Sequence, residues 1–161
     1  MGGYGSTRWR RHSKKICVES CLELTVSSLK HEGVICETPK ERALVWREYG
    51  SEEIVASVWY TCKQVGSNWK LTLSYTVNKK HSIVEHITIT YENRFIEQKA
   101  PVFLCPLCGK PRRILYSPPG AAYFACRECY DLTYLSSQRA HRYNLARSRV
   151  YGKYCMMFQR E

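Results

Sequence analysis

Aspartate is all but missing from this chain: Asp131 is the only one among 161 residues. Two-metal phosphoryl-transfer sites and paired-aspartate acid/base sites need carboxylates gathered at one point, so those classes have little to stand on. No Gly-rich phosphate loop is present, which removes the P-loop nucleotide hydrolases. No apolar run approaches the roughly 18 residues of a membrane-spanning helix, and residues 1–15 are polar and basic without an apolar signal core. The expectation is a soluble, cytoplasmic protein with no membrane partner, and the sequence identifies no small-molecule substrate.

Acid is also absent from the whole stretch between Leu132 and Arg160, and that absence directs attention to where the positive charge lies. The formal net charge is +11. Residues 1–15 carry +5, residues 16–100 carry −1 and residues 101–161 carry +7. A near-neutral body with two basic ends points to a polyanionic partner. The hydrophobic fraction, 44%, is enough for a packed core and too high for a wholly disordered chain.

Nine cysteines make an odd number, and only four fall in C-x-x-C spacing, which suits metal binding in a reducing compartment better than a disulfide framework. Cys105-Pro-Leu-Cys108-Gly109-Lys110 and Cys126-Arg-Glu-Cys129 are separated by 17 residues. A two-residue spacer lets both thiolates of a knuckle reach one ion, and Gly109 permits the tight turn that follows. Two knuckles complete a tetrahedral site with no position left for water. The cofactor expected at Cys105, Cys108, Cys126 and Cys129 is therefore one structural Zn2+, with a redox C-x-x-C as the competing reading. Cys17, Cys21, Cys36, Cys62 and Cys155 read as small buried hydrophobes, although Cys17 and Cys21 are spaced to share a helix face.

The periodicity predicts an α+β fold in three parts. Residues 1–15 read as a flexible basic arm. Residues 16–100 read as a body in which Leu22, Leu24, Val26 and Leu29 mark a short helical segment, with Thr25 as N-cap and Gly33 as stop, followed by an antiparallel β-meander. Its four strands are Arg42–Glu48, Ile54–Tyr60, Trp69–Val77 and Ser82–Tyr91; in the third, Trp69, Leu71, Leu73, Tyr75 and Val77 share one face. Residues 101–161 read as a zinc ribbon, with Arg112–Tyr116 and Ala122–Ala125 as strands around Ser117-Pro-Pro-Gly120, and then a basic helix from about Ser136 to Phe158.

Candidate contacts to nucleic acid follow from the same segments. Arg8, Arg10 and Arg11 interleave with Tyr4 and Trp9 in the arm; Lys110, Arg112, Arg113 and Arg127 flank the knuckles. In a terminal helix at 100° per residue, Arg139, Arg142, Arg149 and Lys153 share one stripe, with Tyr143, Val150, Tyr151 and Tyr154 beside it. Guanidinium groups pair with phosphates while aromatic faces take bases. No catalytic set stands out: the five histidines are scattered, and His141 with Asn144 only faintly echoes a ββα-metal nuclease. The reading is a nucleic-acid-binding protein and not an enzyme. The alternative is an interaction module or inhibitor that docks on a nucleic-acid enzyme such as RNA polymerase or a phage-defence nuclease.

Three stretches carry a resemblance: the opening Met1-Gly-Gly-Tyr-Gly-Ser-x-Arg-Trp9, the segment Val18-Glu-Ser-Cys-Leu22, and Phe103-Leu-Cys105-x-x-Cys108 with Phe124-x-Cys126-Arg-x-Cys129-x-x-Leu132-x-Tyr134-x-Ser136. In these the chain resembles an uncharacterised family of short zinc-ribbon proteins of bacteria and their phages. The resemblance implies a zinc-ribbon module and a phage or mobile-element origin, and it implies no activity. Residues 93–101 depart from that pattern, since such relatives tend to carry a Thr-Pro-Cys segment with glycines before the first knuckle.

Overall fold

A computed structural model describes residues 15–35, 41–51, 53–77, 81–93, 99–139 and 154–158. Strands β2 (Glu41–Glu48), β3 (Ile54–Val65), β4 (Asn68–Val77) and β5 (His81–Asn93) form the expected antiparallel meander. Alternation decides which face is covered: Trp69, Leu71 and Leu73 of β4 are buried alongside Val58, Tyr60 and Cys62 of β3 and Ile87 and Ile89 of β5. Strand β3 runs five residues past the predicted end. Val65 pairs with Asn68, so the ladder continues until Gly66, at φ +63, turns the chain in a two-residue hairpin loop.

Two further strands extend the sheet beyond β5. Strand β6 (Lys99–Leu104) pairs with β5, and β7 (Pro111–Arg112) pairs with β6. The full order is β7-β6-β5-β4-β3-β2-β9, where β9 is Tyr154–Phe158. That last strand corrects the sequence reading of a helix to Phe158, and with it the place of Tyr154 in a helical stripe. The reason lies in β2. Ala43, Leu44, Val45 and Trp46 are buried at consecutive positions, so β2 is covered on both faces, and the backbone N–H and C=O groups on its edge away from β3 need partners. Segment 154–158 is rich in aromatic and long apolar residues and supplies those partners, with Leu44 opposite Phe158 and Glu48 opposite Tyr154.

The N-terminal segment is also different from the expectation. Leu22 and Leu24 lie on a strand, β1 (Leu22–Thr25), and the helix α1 is confined to Val26–His31. Their i, i+2 spacing has the strand period, and β8 (Ile114–Ser117) is there to pair with them, Leu22 opposite Ser117 and Thr25 opposite Ile114. Thr25 does occupy the N-cap position, but its Oγ1 meets Ser28 Oγ at 2.7 Å and makes no bond to a helix amide. Gly33, at φ +65, follows the helix as predicted. Cys17 and Cys21 bracket a single 3₁₀ turn, Val18–Ser20, and share no α-helical face. Among the described residues no helix is long and apolar enough to cross a membrane.

One core joins the meander to the cysteine-rich segment. Trp46 of β2 stacks on Phe124, centroids 5.9 Å apart, and Leu24, Leu29, Phe103, Leu115, Cys105 and Cys126 belong to the same cluster. Trp46 is fully buried, and its indole N–H donates to the Glu23 carbonyl at 2.8 Å, which removes the cost of an unpaired donor. Cys21 and Cys62 are buried as expected and Cys17 is half-buried. Cys36 and the Cys155 side chain lie outside the described residues.

Candidate metal centre and the basic surface beside it

The first knuckle is the turn between β6 and β7. The Gly109 amide donates to the Cys105 carbonyl at 2.8 Å and the Cys105 amide to the Lys110 carbonyl at 3.0 Å, a closure that places Gly109 at φ +67. Only glycine adopts that value without a Cβ penalty. The second knuckle follows a narrow hairpin: Tyr116 and Ala125 exchange amide bonds at 2.7 and 3.0 Å, and Tyr130 N then donates to Cys126 O at 3.3 Å. Of the strand predicted at Ala122–Ala125, only Ala125 forms a bridge, and Arg113 interrupts the one predicted at Arg112–Tyr116. At Arg113 the chain passes from the large sheet to the small one.

These turns bring Cys105, Cys108, Cys126 and Cys129 together, with all four sulfurs within 4.8 Å of one another. Individual Sγ–Sγ separations are 3.9 Å (Cys105 to Cys129), 3.8 Å (Cys108 to Cys126) and 3.5 Å (Cys126 to Cys129). A tetrahedron with metal–sulfur bonds of about 2.3 Å has edges of about 3.8 Å, whereas a disulfide needs about 2.05 Å. The four cysteines are positioned to hold one metal ion. The Cys126 amide also donates to Cys105 Sγ at 3.3 Å, and such a bond favours the thiolate.

The thiols do not share charge equally. Burial alone would raise Cys126, but the Cys129 amide and then the neighbouring thiols outweigh it and hold Cys126 down at about 6. Cys129 moves the other way, pushed up by burial and by its bonds to Cys126, Cys108 and Cys105. A thiolate is therefore favoured at Cys126 and resisted at Cys129. A bound cation removes that resistance, because coordinated thiols are deprotonated outright.

The basic residues around the centre divide by what they touch. Arg112 bonds Glu128, whose carboxylate also lies 3.7 Å from Lys110 Nζ. Burial would lower Arg112, but its hydrogen bond to Cys126 and the Glu128 charge prevail and raise it, so this guanidinium faces the sulfur site. Arg127 donates to the Leu132 carbonyl at 3.3 Å and sits 5.4 Å over the Tyr134 ring. Arg113 is exposed and has no ion pair among the described residues. Arg112, Arg113 and Arg127 line a cleft of about 210 Å³ together with Tyr116, Glu128 and Tyr134. Arg8, Arg10, Arg11, Arg142 and Arg149 lie outside the described residues, and Arg139 ends the helix α2 (Leu135–Arg139).

Two arrangements went unread in the sequence. Residues 15–20 are fastened to the chain just after the second knuckle: Val18 N donates to Thr133 O at 2.9 Å, Thr133 N to Ile16 O at 3.0 Å, and Gln138 Nε2 to Lys15 O at 2.7 Å. Glu19 accepts the Leu135 amide on both carboxylate oxygens at 3.1 Å, and Lys15 pairs with Asp131 at 2.6 Å. No local pattern announces bonds that span 116 residues. The second arrangement is Glu85, which is 5% exposed and accepts the Phe124 amide at 3.0 and 3.2 Å. It joins β5 to the second knuckle, and its inward parity with Ile87 and Ile89 was the available signal.

No family model matches the chain, and no curated protein or solved structure matches it.

Proposed function

We propose that the chain is a zinc-ribbon protein that binds nucleic acid, with one structural Zn2+ on Cys105, Cys108, Cys126 and Cys129. Four thiolates at tetrahedral spacing suit zinc and leave no open position for a reacting water, so the ion's part is to cross-link the two knuckles. The observation that supports nucleic-acid binding is convergence. The +5 arm leads into Lys15, which is fastened at Asp131 and Gln138, and the acid-free segment begins at the same place. Lys15, at the end of the arm, thus lies against Asp131, 116 residues away in sequence, and against Gln138, at the start of the acid-free segment. Two basic segments rooted side by side, next to the arginines of the knuckles in sequence, are the kind of charge distribution that suits a polyanion. The test is fluorescence anisotropy with a panel of DNA and RNA oligonucleotides at low salt. With about five phosphates neutralised, log K falls against log salt with a slope of about −4.5 on duplex and about −3.5 on single strands. No binding below about 10 µM, within the range of ordinary non-specific affinity, overturns the proposal. A protein partner captured from nuclease-treated lysate without any nucleic-acid affinity would favour the interaction-module reading instead.

A further inference from the structure

The cleft beside the knuckles holds more than charge. Its volume, about 210 Å³, is smaller than the roughly 300–1,000 Å³ of sites that enclose a whole small molecule, yet larger than the roughly 150 Å³ that takes one benzene ring. It is open on one side to solvent, and its wall includes a half-exposed aromatic, Tyr134, at 45% exposure. Arg127 lies against that ring and is fixed there by its bond to the Leu132 carbonyl, so ordering this wall costs a ligand little. Arg113 stands at the same cleft without an ion pair among the described residues, while Arg112 is turned to Glu128 and Cys126. The cleft thus offers one stacking wall and one available guanidinium, which is the complement of one base and one phosphate.

We infer that this cleft receives a single unstacked nucleotide, its base on the Arg127–Tyr134 wall and its phosphate on Arg113, so that the protein prefers single strands to duplex. The inference rests on the nucleic-acid reading above and adds the form of the ligand. A base inside a duplex presents only its edge; reaching the wall would require flipping it out, at the cost of its stacking and pairing. An unpaired base reaches the wall without that cost, and any base has a face to stack.

The experiment uses the full chain with 12-nucleotide single strands of DNA and RNA and the matching duplexes, titrated by anisotropy at one salt concentration. Tyr134→Ala is expected to weaken single-strand binding by about 5- to 150-fold, the range for one stacked base, and to leave duplex binding within about twofold. Tyr134→Phe keeps the ring and restores single-strand binding. Arg113→Ala weakens both and lowers the salt slope by about one phosphate. Circular dichroism of the variants separates loss of a contact from loss of the fold. Equal affinity for single strands and duplex, or indifference to Tyr134→Ala in a folded variant, overturns this inference while leaving nucleic-acid binding intact. Absence of binding to every probe overturns the underlying reading.

Discussion

Glu85 makes an unusual demand on hydrogen. The Tyr75 hydroxyl lies 2.8 Å from Glu85 Oε2 and 2.6 Å from the Ala122 carbonyl oxygen, and it has one proton for two acceptors. If Glu85 is ionised, one of those short oxygen–oxygen contacts has no hydrogen in it. If Glu85 is protonated, both are satisfied: the carboxylic acid donates to Tyr75 Oη, Tyr75 donates to Ala122, and the other carboxyl oxygen still accepts the Phe124 amide. Burial works in the same direction, raising the Glu85 carboxyl above its ordinary value, although the bonds from Tyr75 and Phe124 lower it in part. A raised carboxyl binds its proton more tightly in the folded state. Its contribution to stability is thus complete below the ordinary carboxyl range and is lost as pH rises through the raised value. Each unit of elevation is worth about 1.4 kcal/mol. Glu85→Gln reproduces the protonated geometry, with its amide donating to Tyr75 and its oxygen accepting from Phe124. Urea unfolding of both proteins from pH 4 to pH 8 should give equal stability at the acid end and a growing advantage for the glutamine variant above it. Thiolate coordination loses stability toward acid, the opposite sign, but it is common to both proteins and cancels in their difference. A difference that stays flat with pH, or a glutamine variant that is the weaker one at pH 8, would refute the proton count.

Removal of the metal should be felt far from the sulfurs. A chelator is expected to release one zinc per chain and to red-shift tryptophan emission, because Trp46 stacks on Phe124 two residues before Cys126; the binding free energy at stake is on the order of 10 kcal/mol. Cys126→Ser should abolish tight zinc binding, and a zinc-free chain with unchanged emission would count against a metal-dependent core. At Asp131, φ is +48, a conformation that costs a residue with a Cβ about 1–2 kcal/mol. Its pair with Lys15 is exposed and worth about 0–1 kcal/mol. Asp131→Gly is therefore expected to leave thermal stability equal or slightly raised and Asp131→Ala to lower it; a glycine variant clearly less stable than the parent would show that the ion pair outweighs the strain.

The parts of the fold that were legible in the sequence are those where a pattern closes within a few residues. Alternation in 69–77 gives a half-buried strand wherever it occurs, and the C-x-x-C-Gly turn closes on its own amides. The misread parts depend on a distant partner. Met156 and Tyr154 look as good in a helix as in a strand, and only the uncovered side of β2 decides between them. Yet Ala43-Leu-Val-Trp46 already carried half of that answer, since four apolar residues in a row on a strand imply cover on both faces, and backbone groups buried in that way need partners on either edge. Leu22 and Leu24 likewise needed β8, nearly a hundred positions away, to show that their spacing was that of a strand. Glu85 was visible by parity alone, as a lone acid in an inward row.

The same distinction governs how the charge is to be weighed. With a divalent ion bound, four thiolates and the ion would add about −2 at the knuckles. Arg112 and Lys110 already face that site or Glu128, so they balance local negative charge before any ligand arrives. Within the cleft Arg127 backs the stacking wall and only Arg113 remains for a phosphate, and one such contact gives a salt slope of only about −0.7 on single strands and about −0.9 on duplex. A slope near −4.5 would therefore require the arm and the acid-free C-terminal segment to touch phosphates as well. The slope thus measures whether fastening Lys15 beside Asp131 and Gln138 unites the two basic ends on one ligand, or whether the cleft acts by itself.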